Sequence, residues 1–177
     1  MTLPLQTQAA LIRTTAFDIL LAANTIAGDR IEQEEIIDPV ADGDTPRLAV
    51  MMDESGTIFS RSGGPPRFTM SAKLTVQCLV QDAVKNAAVA RADQIVSQVK
   101  YALLTNPAFT ALCDTVDTVS VTHSFKPGSN LVTADARVQM SMTYFENFAP
   151  DLTGTLSAIV QAATLSAAST VTATTNL

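Results

Sequence analysis

The stretch over residues 68–80 constrains the fold more than any other part of the sequence. Apolar residues occupy every second position from Phe68 to Val80, and the positions between them are mainly polar. Successive side chains of a β-strand point to opposite faces of the sheet, so this alternation predicts one long strand with a single apolar face. The chain therefore needs further strands beside this one and a second layer that covers the apolar face.

Other segments supply those strands. Apolar residues alternate again over 119–125 and 134–144, and the turn-forming residues 126–130 lie between the two segments. This arrangement predicts an antiparallel hairpin. Residues 48–52 form a short apolar run that is typical of a buried strand, and the weak alternation over 30–37 allows a short edge strand before it.

Two segments, 5–23 and 83–104, carry the period of an amphipathic helix. Asp82 is the expected N-cap of the second helix, and Asn106 before Pro107 ends it because the residue before a proline avoids the helical conformation. The predicted buried stripes are Leu5, Ala9, Ile12, Ala16, Ile19 and Ala23 in the first helix, and Val84, Ala88, Ala92, Ile95, Val99, Ala102 and Leu103 in the second.

The order of these elements predicts an α+β domain, with an antiparallel or mixed sheet, two helices packed on one face, and an extended C-terminal tail. Hydrophobic residues make up 47% of the chain and charged residues 16%, a balance that excludes intrinsic disorder for the bulk of the sequence. We expect one domain over 1–150 and an extension over 151–177 that is rich in Ala, Thr and Ser and uncharged after Asp151. Residues 152–165 of the extension can form a short helix.

Charge excludes some classes of partner. The net charge is −6, and residues 29–54 hold nine acids and two bases. No cluster of Lys and Arg is present, so we do not expect the protein to bind nucleic acid through its phosphates. No apolar stretch reaches 18 residues, and the N-terminal residues lack a basic region followed by an apolar run. We therefore expect neither a membrane span nor a signal peptide.

No residue pattern points to catalysis, a cofactor or a metal. The one histidine, His123, is in phase with the apolar positions of its strand, which favours a core-facing or interface role. Nucleotide-binding, hydrolase and zinc-protease motifs are absent. Cys78 and Cys113 lack metal-ligand spacing and are expected to be small buried hydrophobes. The acidic loop around Gly43 lacks the ligand order of a calcium site, so we interpret it as solvated.

Residues 53–66 form a connection of fourteen residues between two predicted strands. Connections in compact domains usually have about 4–6 residues, and longer ones are often binding loops. Ile58 and Phe59 lie in the middle of this segment, where a free loop should not expose them. Two interpretations stay open: a small extra hairpin on its own domain, or a contact loop that docks Phe59 on a neighbouring subunit with Arg61 at the charged rim.

The order of these segments resembles the phage tail-terminator family, typified by minor tail protein U of lambda-like phages. The resemblance covers about residues 5–148, and this range includes the long strand and the second helix. It rests on the sequence AGDRI at 27–31, the acidic loop that leads to Pro46, RLAVMM at 47–52 and TYF at 143–145. The uncharged tail after Pro150 departs from the compact family pattern.

Membership in this family would imply a structural virion protein and no enzyme. Copies of the chain would form a ring, in the family a hexamer, that caps the tail tube, ends its polymerisation and joins it to the head connector or neck protein. The ring would belong to the virion tail, with assembly in the host cytoplasm. We expect Glu34, Glu35, Asp42 and Asp44 to face the lumen or an axial surface, where like charge lets DNA pass without being held. Two alternatives are a neck or head-closure adaptor of the same connector and a small-molecule-binding α+β domain.

Overall fold

The structure is a computed structural model that describes residues 7–33, 45–60, 67–128 and 130–147, with the backbone alone for residues 58–60 and 147. Three helices and five strands follow one another along this part of the chain. In order they are α1 (Gln8–Ala22), β1 (Ile31–Gln33), β2 (Arg47–Ser60), β3 (Arg67–Asp82), α2 (Lys85–Leu104), α3 (Pro107–Thr110), β4 (Thr115–Pro127) and β5 (Val132–Asn147).

The five strands form one mixed sheet in the order β1-β2-β3-β5-β4. β1 runs parallel to β2, and the other three neighbouring pairs are antiparallel. The predicted α+β class with a mixed sheet is therefore confirmed, as are the short edge strand, the central long strand and the final hairpin. Cross-strand pairing is extensive because β3 and β5 pair continuously from Arg67 opposite Asn147 to Asp82 opposite Val132.

The interpretation of 53–66 as one long loop is wrong for its first eight residues. β2 continues to Ser60, and residues 53–58 pair with β3 from Asp53 opposite Lys73 to Ile58 opposite Phe68. This agrees with the alternative of a hairpin in that segment. Residues such as Asp53 and Gly56 are poor strand formers by themselves, but the long partner β3 supplies an unbroken row of backbone groups to pair with.

Gly128 closes the turn between β4 and β5. Its N–H donates to the carbonyl oxygen of Leu131 at 2.8 Å. A Cβ at this position would lie 2.7 Å from that same oxygen, so a side chain would push the turn apart. The turn therefore depends on glycine, as the cluster of turn formers in the sequence indicated.

Both long helices begin close to their predicted positions. Thr7 caps α1, and its Oγ1 accepts a hydrogen bond from the Ala10 N–H. Leu5 lies outside the described residues. The prediction of Asp82 as the N-cap of α2 is wrong, since Val84 occupies that position and Asp82 is still part of β3. Asp82 nevertheless accepts a hydrogen bond from the Val84 N–H and forms an ion pair with Arg91 in the second turn of the helix.

The core lies between the two long helices and one face of the sheet. The stripe predicted for α2 is buried except at Val84, which is exposed at the cap, and Ala102, which is half-buried. In α1 the predicted positions Ala9, Ile12 and Ala16 are buried. Leu20 is buried beyond them, while the predicted Ile19 is half-buried and Ala23 is exposed. The largest side chains of this core include Ile12, Leu20, Leu48, Leu74, Ile95, Leu103, Phe109, Met140 and Met142. Two helices therefore cover one face of the sheet, as predicted.

Candidate assembly surfaces

β4 leaves one edge of the sheet open. It pairs with β5 on one side, and among the described residues no strand pairs with its other side. The register shifts between Val116 and Thr118, and from Thr118 onward the pairing is regular. Residues 118–125 contain neither proline nor a residue of formal charge, with His123 taken as neutral. Proteins usually protect a free edge with charge, proline or a bulge, so this long unprotected edge is suited to pairing with another strand.

Two large apolar side chains lie along this edge. Val119 is 40% exposed and Phe125 is 39% exposed, although both point to the helix-covered side of the sheet. They are exposed because α2 packs over β3 and β5 and does not cover β4 completely. The edge therefore offers apolar side chains in addition to backbone groups, and a partner strand would bury both.

The second open edge is the outer half of β2. β1 pairs with β2 only at Leu48, Ala49 and Val50. From Met51 to Ser60 no described strand pairs with that side of β2. The free segments of β2 and β4 thus have similar lengths and lie at opposite sides of one sheet.

The sheet face opposite the helices is polar and carries a hydrogen-bonded cluster. Gln77 is 1% exposed, and its Nε2 donates to Asp135 Oδ2 at 3.2 Å. Arg137 also donates to that oxygen, at 3.3 Å, so its charge is paired. Gln81 donates to Thr133 Oγ1 at 3.3 Å. The cluster links the neighbouring strands β3 and β5, and on the same face Ala49 and Leu79 are buried beside it.

His123 lies on β4 on the helix-covered side, as its sequence phase predicted. Its Nε2 is 3.8 Å from Asp93 Oδ1 of α2, and its ring stacks on Phe125 with the ring centroids 6.2 Å apart. The residue is exposed, so it belongs to the open edge and not to the core. This contact pattern suits an interface residue better than a catalytic base, which needs a nucleophile beside it.

The buried titratable groups stabilise the core. Burial raises the pKa of the Cys78 thiol to about 12, with Asp135 adding to the effect, and burial raises that of Cys113 to about 11. Thiols that stay protonated are poor nucleophiles, in line with the predicted packing role. Burial also raises the pKa of Tyr144, and so does its hydrogen bond to Glu54 Oε2 at 2.7 Å.

An open groove of about 600 Å³ lies between α1 and α2, and we call it the helix groove. Ile19, Ala22, Ala23 and Ala102 form its apolar part, and Thr15, Asp18, Gln98, Tyr101 and Asn106 complete the lining. Tyr101 is 73% exposed. A smaller pocket of about 300 Å³ on the polar face is lined by Asp53, Glu54, Ser55, Ser71, Ala72, Lys73 and Ser141.

Most of the sequence-predicted site residues cannot be placed by this structure. Glu34, Glu35, Asp42, Asp44 and Arg61 lie outside the described residues. Ile58 and Phe59 belong to the backbone of β2, on its free segment. Within the described ranges, no group of three or more His, Cys, Asp and Glu side chains could hold a metal ion. The same ranges contain no helix with the length and apolar character needed to cross a bilayer.

Sequence reasoning missed the open edges and the helix groove. The signal for the β4 edge was present, since residues 118–125 alternate Thr or Ser with apolar residues and carry no formal charge. Which strand lies at an edge depends on the strand order, and no local pattern specifies that order. The groove depends on the distance between two helices that are 62 residues apart in the chain, from the end of α1 to the start of α2.

Comparison with known proteins finds a likeness among solved structures. No protein-family profile and no curated protein matches the sequence. A chain in a solved structure described as the virion of a native gene transfer agent particle is similar, with 12% sequence identity and a TM-score of 0.38. The match covers 78% of this chain and 96% of that chain. A likeness at this level assigns neither a family nor a function.

Proposed function

We propose that the chain is a structural subunit of a phage-like virion. Copies of it close into a ring, a hexamer by the sequence resemblance, that caps the tail tube, ends its polymerisation and joins it to the head connector. The observation that carries this proposal is the pair of open edges, β4 and residues 51–60 of β2, at opposite sides of one sheet. Such a subunit has two different surfaces that can bind each other between copies.

Head-to-tail pairing of these edges supports a closed assembly. If β4 of one copy lies beside the free segment of β2 in the next, each copy uses both edges and the sheet continues across the interface. When the ring closes, neither of these two edges remains free, so growth stops in the plane of the ring. Only the two axial faces are then available to other proteins, which is the arrangement that a cap on a tube needs.

The polar sheet face suits the lumen of such a ring. Its β5 and β4 positions are mainly Ser, Thr and Gln, and Arg137 is paired with Asp135. Two lysines, Lys73 and Lys126, share this face with them. DNA is held where several unpaired cations contact its phosphates. A polar lining with a net acidic subunit would let DNA slide, and we therefore place this face toward the channel.

A neck or head-closure adaptor of the same connector would use the same edges and remains the alternative proposal. The two roles differ in what the axial faces bind. Negative-stain images of the ring mixed with tail tubes and with head connectors would separate them, because a terminator binds tube ends and an adaptor binds connectors.

The proposal predicts that charge on the β4 edge prevents ring formation. We expect the double variant Val119→Lys/Phe125→Lys to fold and to weaken association of the copies by about tenfold or more, since ~1.4 kcal/mol of lost interface free energy corresponds to a factor of ten. Native mass spectrometry and size-exclusion chromatography over a range of concentrations would measure the oligomer, and circular dichroism would check the fold.

Val84→Lys is the matched control, because Val84 is 60% exposed and lies at the cap of α2, away from both edges. It should assemble like the unchanged chain. An unchanged chain that stays monomeric at all concentrations would contradict the ring, and equal assembly of the double variant would show that the β4 edge is not the interface.

A further inference from the structure

The helix groove exposes apolar surface that the fold itself does not cover. Its apolar part is formed by Ile19, Ala22, Ala23 and Ala102, and the exposed Tyr101 ring borders it. An apolar groove between two helices is a common binding site for a third, amphipathic helix. Asp18 is the one charged residue in the lining, so an uncharged helix would bury little charge there.

The described chain ends beside one wall of this groove. At the end of β5, the Gln8 N–H at the start of α1 donates to Glu146 Oε1 at 3.5 Å. The first groove residue on α1 is Thr15, which lies about 10 Å further along the helix at ~1.5 Å per residue. Residues 148–151 can span about 16 Å when extended at ~3.3 Å per residue. A segment that starts at Leu152 is therefore within reach of the groove.

The segment 152–165 has the chemistry that the groove requires. It contains no Asp, Glu, Lys or Arg. Leu152, Leu156, Ile159 and Ala163 follow one another at steps of four, three and four, which places them on one face if the segment is helical. The three large side chains and the one small side chain on this face would fit between the small residues of the groove, such as Ala22 and Ala102.

We propose that residues 152–165 bind in the helix groove of their own chain as a third helix on the outside of the α1 and α2 layer. This inference concerns the surface of a single copy and does not depend on the proposed ring. Its partner is a named segment of the same molecule, recognised by an apolar face without charge.

The covalent connection favours this segment over an identical one from another copy. Burial of the Leu and Ile side chains stabilises the bound segment, whereas ordering of its backbone opposes binding. Binding of one such short helix is therefore weak by itself. A short tether holds the segment at an effective concentration of the order of millimolar, which a second copy reaches only at millimolar protein.

Tyr101→Trp provides a direct reporter, because the chain contains no tryptophan and Tyr101 borders the groove. In the full chain we expect the emission of this single tryptophan to move to longer wavelength when Ile159→Ser and Val160→Ser are added, since the segment would no longer cover it. Val171→Ser, beyond the proposed segment, is the matched control and should leave the emission unchanged. Identical emission with and without the double change would overturn the proposal.

A disulfide test separates binding within one chain from binding between chains. In a Cys113→Ala background, the pair Ala22→Cys and Ala163→Cys should oxidise to a disulfide-linked monomer that is two hydrogen masses lighter. This oxidation should be at least tenfold faster than that of the control pair Ala22→Cys and Ala173→Cys. Denaturing mass spectrometry measures both products. A cross-linked dimer as the main product, or equal rates for the two pairs, would overturn the proposal even if the ring forms.

Discussion

One side-chain hydrogen bond links the outer part of β2 directly with a core residue of β5. Tyr144 is buried on the helix-covered face, and its hydroxyl donates to Glu54 Oε2 on β2, across the intervening strand β3. This hydrogen bond therefore links the core strand β5 to the segment of β2 whose outer edge is open. No sequence pattern pairs these two residues, because they are 90 positions apart.

Tyr144→Phe removes this bond and keeps the ring in the core. We expect a loss of about 1 kcal/mol in the free energy of unfolding at neutral pH, because Glu54 is exposed and can return to water. The raised pKa of Tyr144 means that the unfolded chain loses this proton first above about pH 10, so stability falls as pH rises there.

Urea unfolding at pH 7 and pH 11 measures both effects, and the variant should lose less stability between the two pH values than the unchanged chain. Tyr101→Phe is the control, since Tyr101 is largely exposed and should show no change at neutral pH. A Tyr144→Phe variant with unaltered stability at both pH values would show that the bond contributes nothing.

At the scale of elements, β2 and β3 stay paired far beyond the helices because Gly56 leaves room for Met70. These residues are opposite each other, and a Cβ at position 56 would lie 2.4 Å from the Met70 sulfur. The glycine therefore leaves space for the Met70 side chain, which a larger residue at position 56 would displace.

Gly56→Ala should destabilise the protein by about 1 kcal/mol, since the Met70 side chain must leave its position. In a Met70→Ala background the same change should be stabilising by about 0.4–1 kcal/mol, because alanine restricts the unfolded chain more than glycine does. A double-mutant cycle by chemical unfolding tests this, and additive effects would refute the steric explanation.

At the scale of the whole molecule, the role of the acidic loop in the proposed ring is tested by a functional assay. Replacing Glu34, Glu35, Asp42 and Asp44 by Gln or Asn reduces the negative charge of the subunit by four, from −6 to −2. We expect unchanged folding, because these are surface-type residues of a solvated loop by sequence, and reduced DNA passage, because the lining would repel phosphates less.

Infectivity of phage assembled with the variant, compared at low and high salt, measures this effect. Added salt screens the repulsion between the unchanged ring and DNA. The difference in infectivity between phage with the unchanged chain and phage with the variant should therefore be smaller at high salt. Neutralising acids that lie outside the loop and outside the β4 strand, at Asp18 and Asp114, is the control for the change in net charge. Normal infectivity of the loop variant would place those acids away from the channel.

The sequence by itself determined the elements and the class of fold. The alternation over 68–80 and the helical stripe of α2 are local patterns, because the period of 2.0 or 3.6 residues must match the buried face of the element itself. Cys78 could be placed in the core for the same reason, from its strand phase. These predictions needed no knowledge of neighbouring strands.

Only the tertiary structure decided the strand order, the two open edges and the helix groove. The order β1-β2-β3-β5-β4 fixes β4 at the edge, and it arises from pairing between segments that are far apart in the chain. The extension of β2 through Asp53 and Gly56 has the same origin, since β3 imposes strand geometry on residues that do not favour it. An edge is free when no other strand pairs with it, and a local sequence pattern does not specify which strands pair.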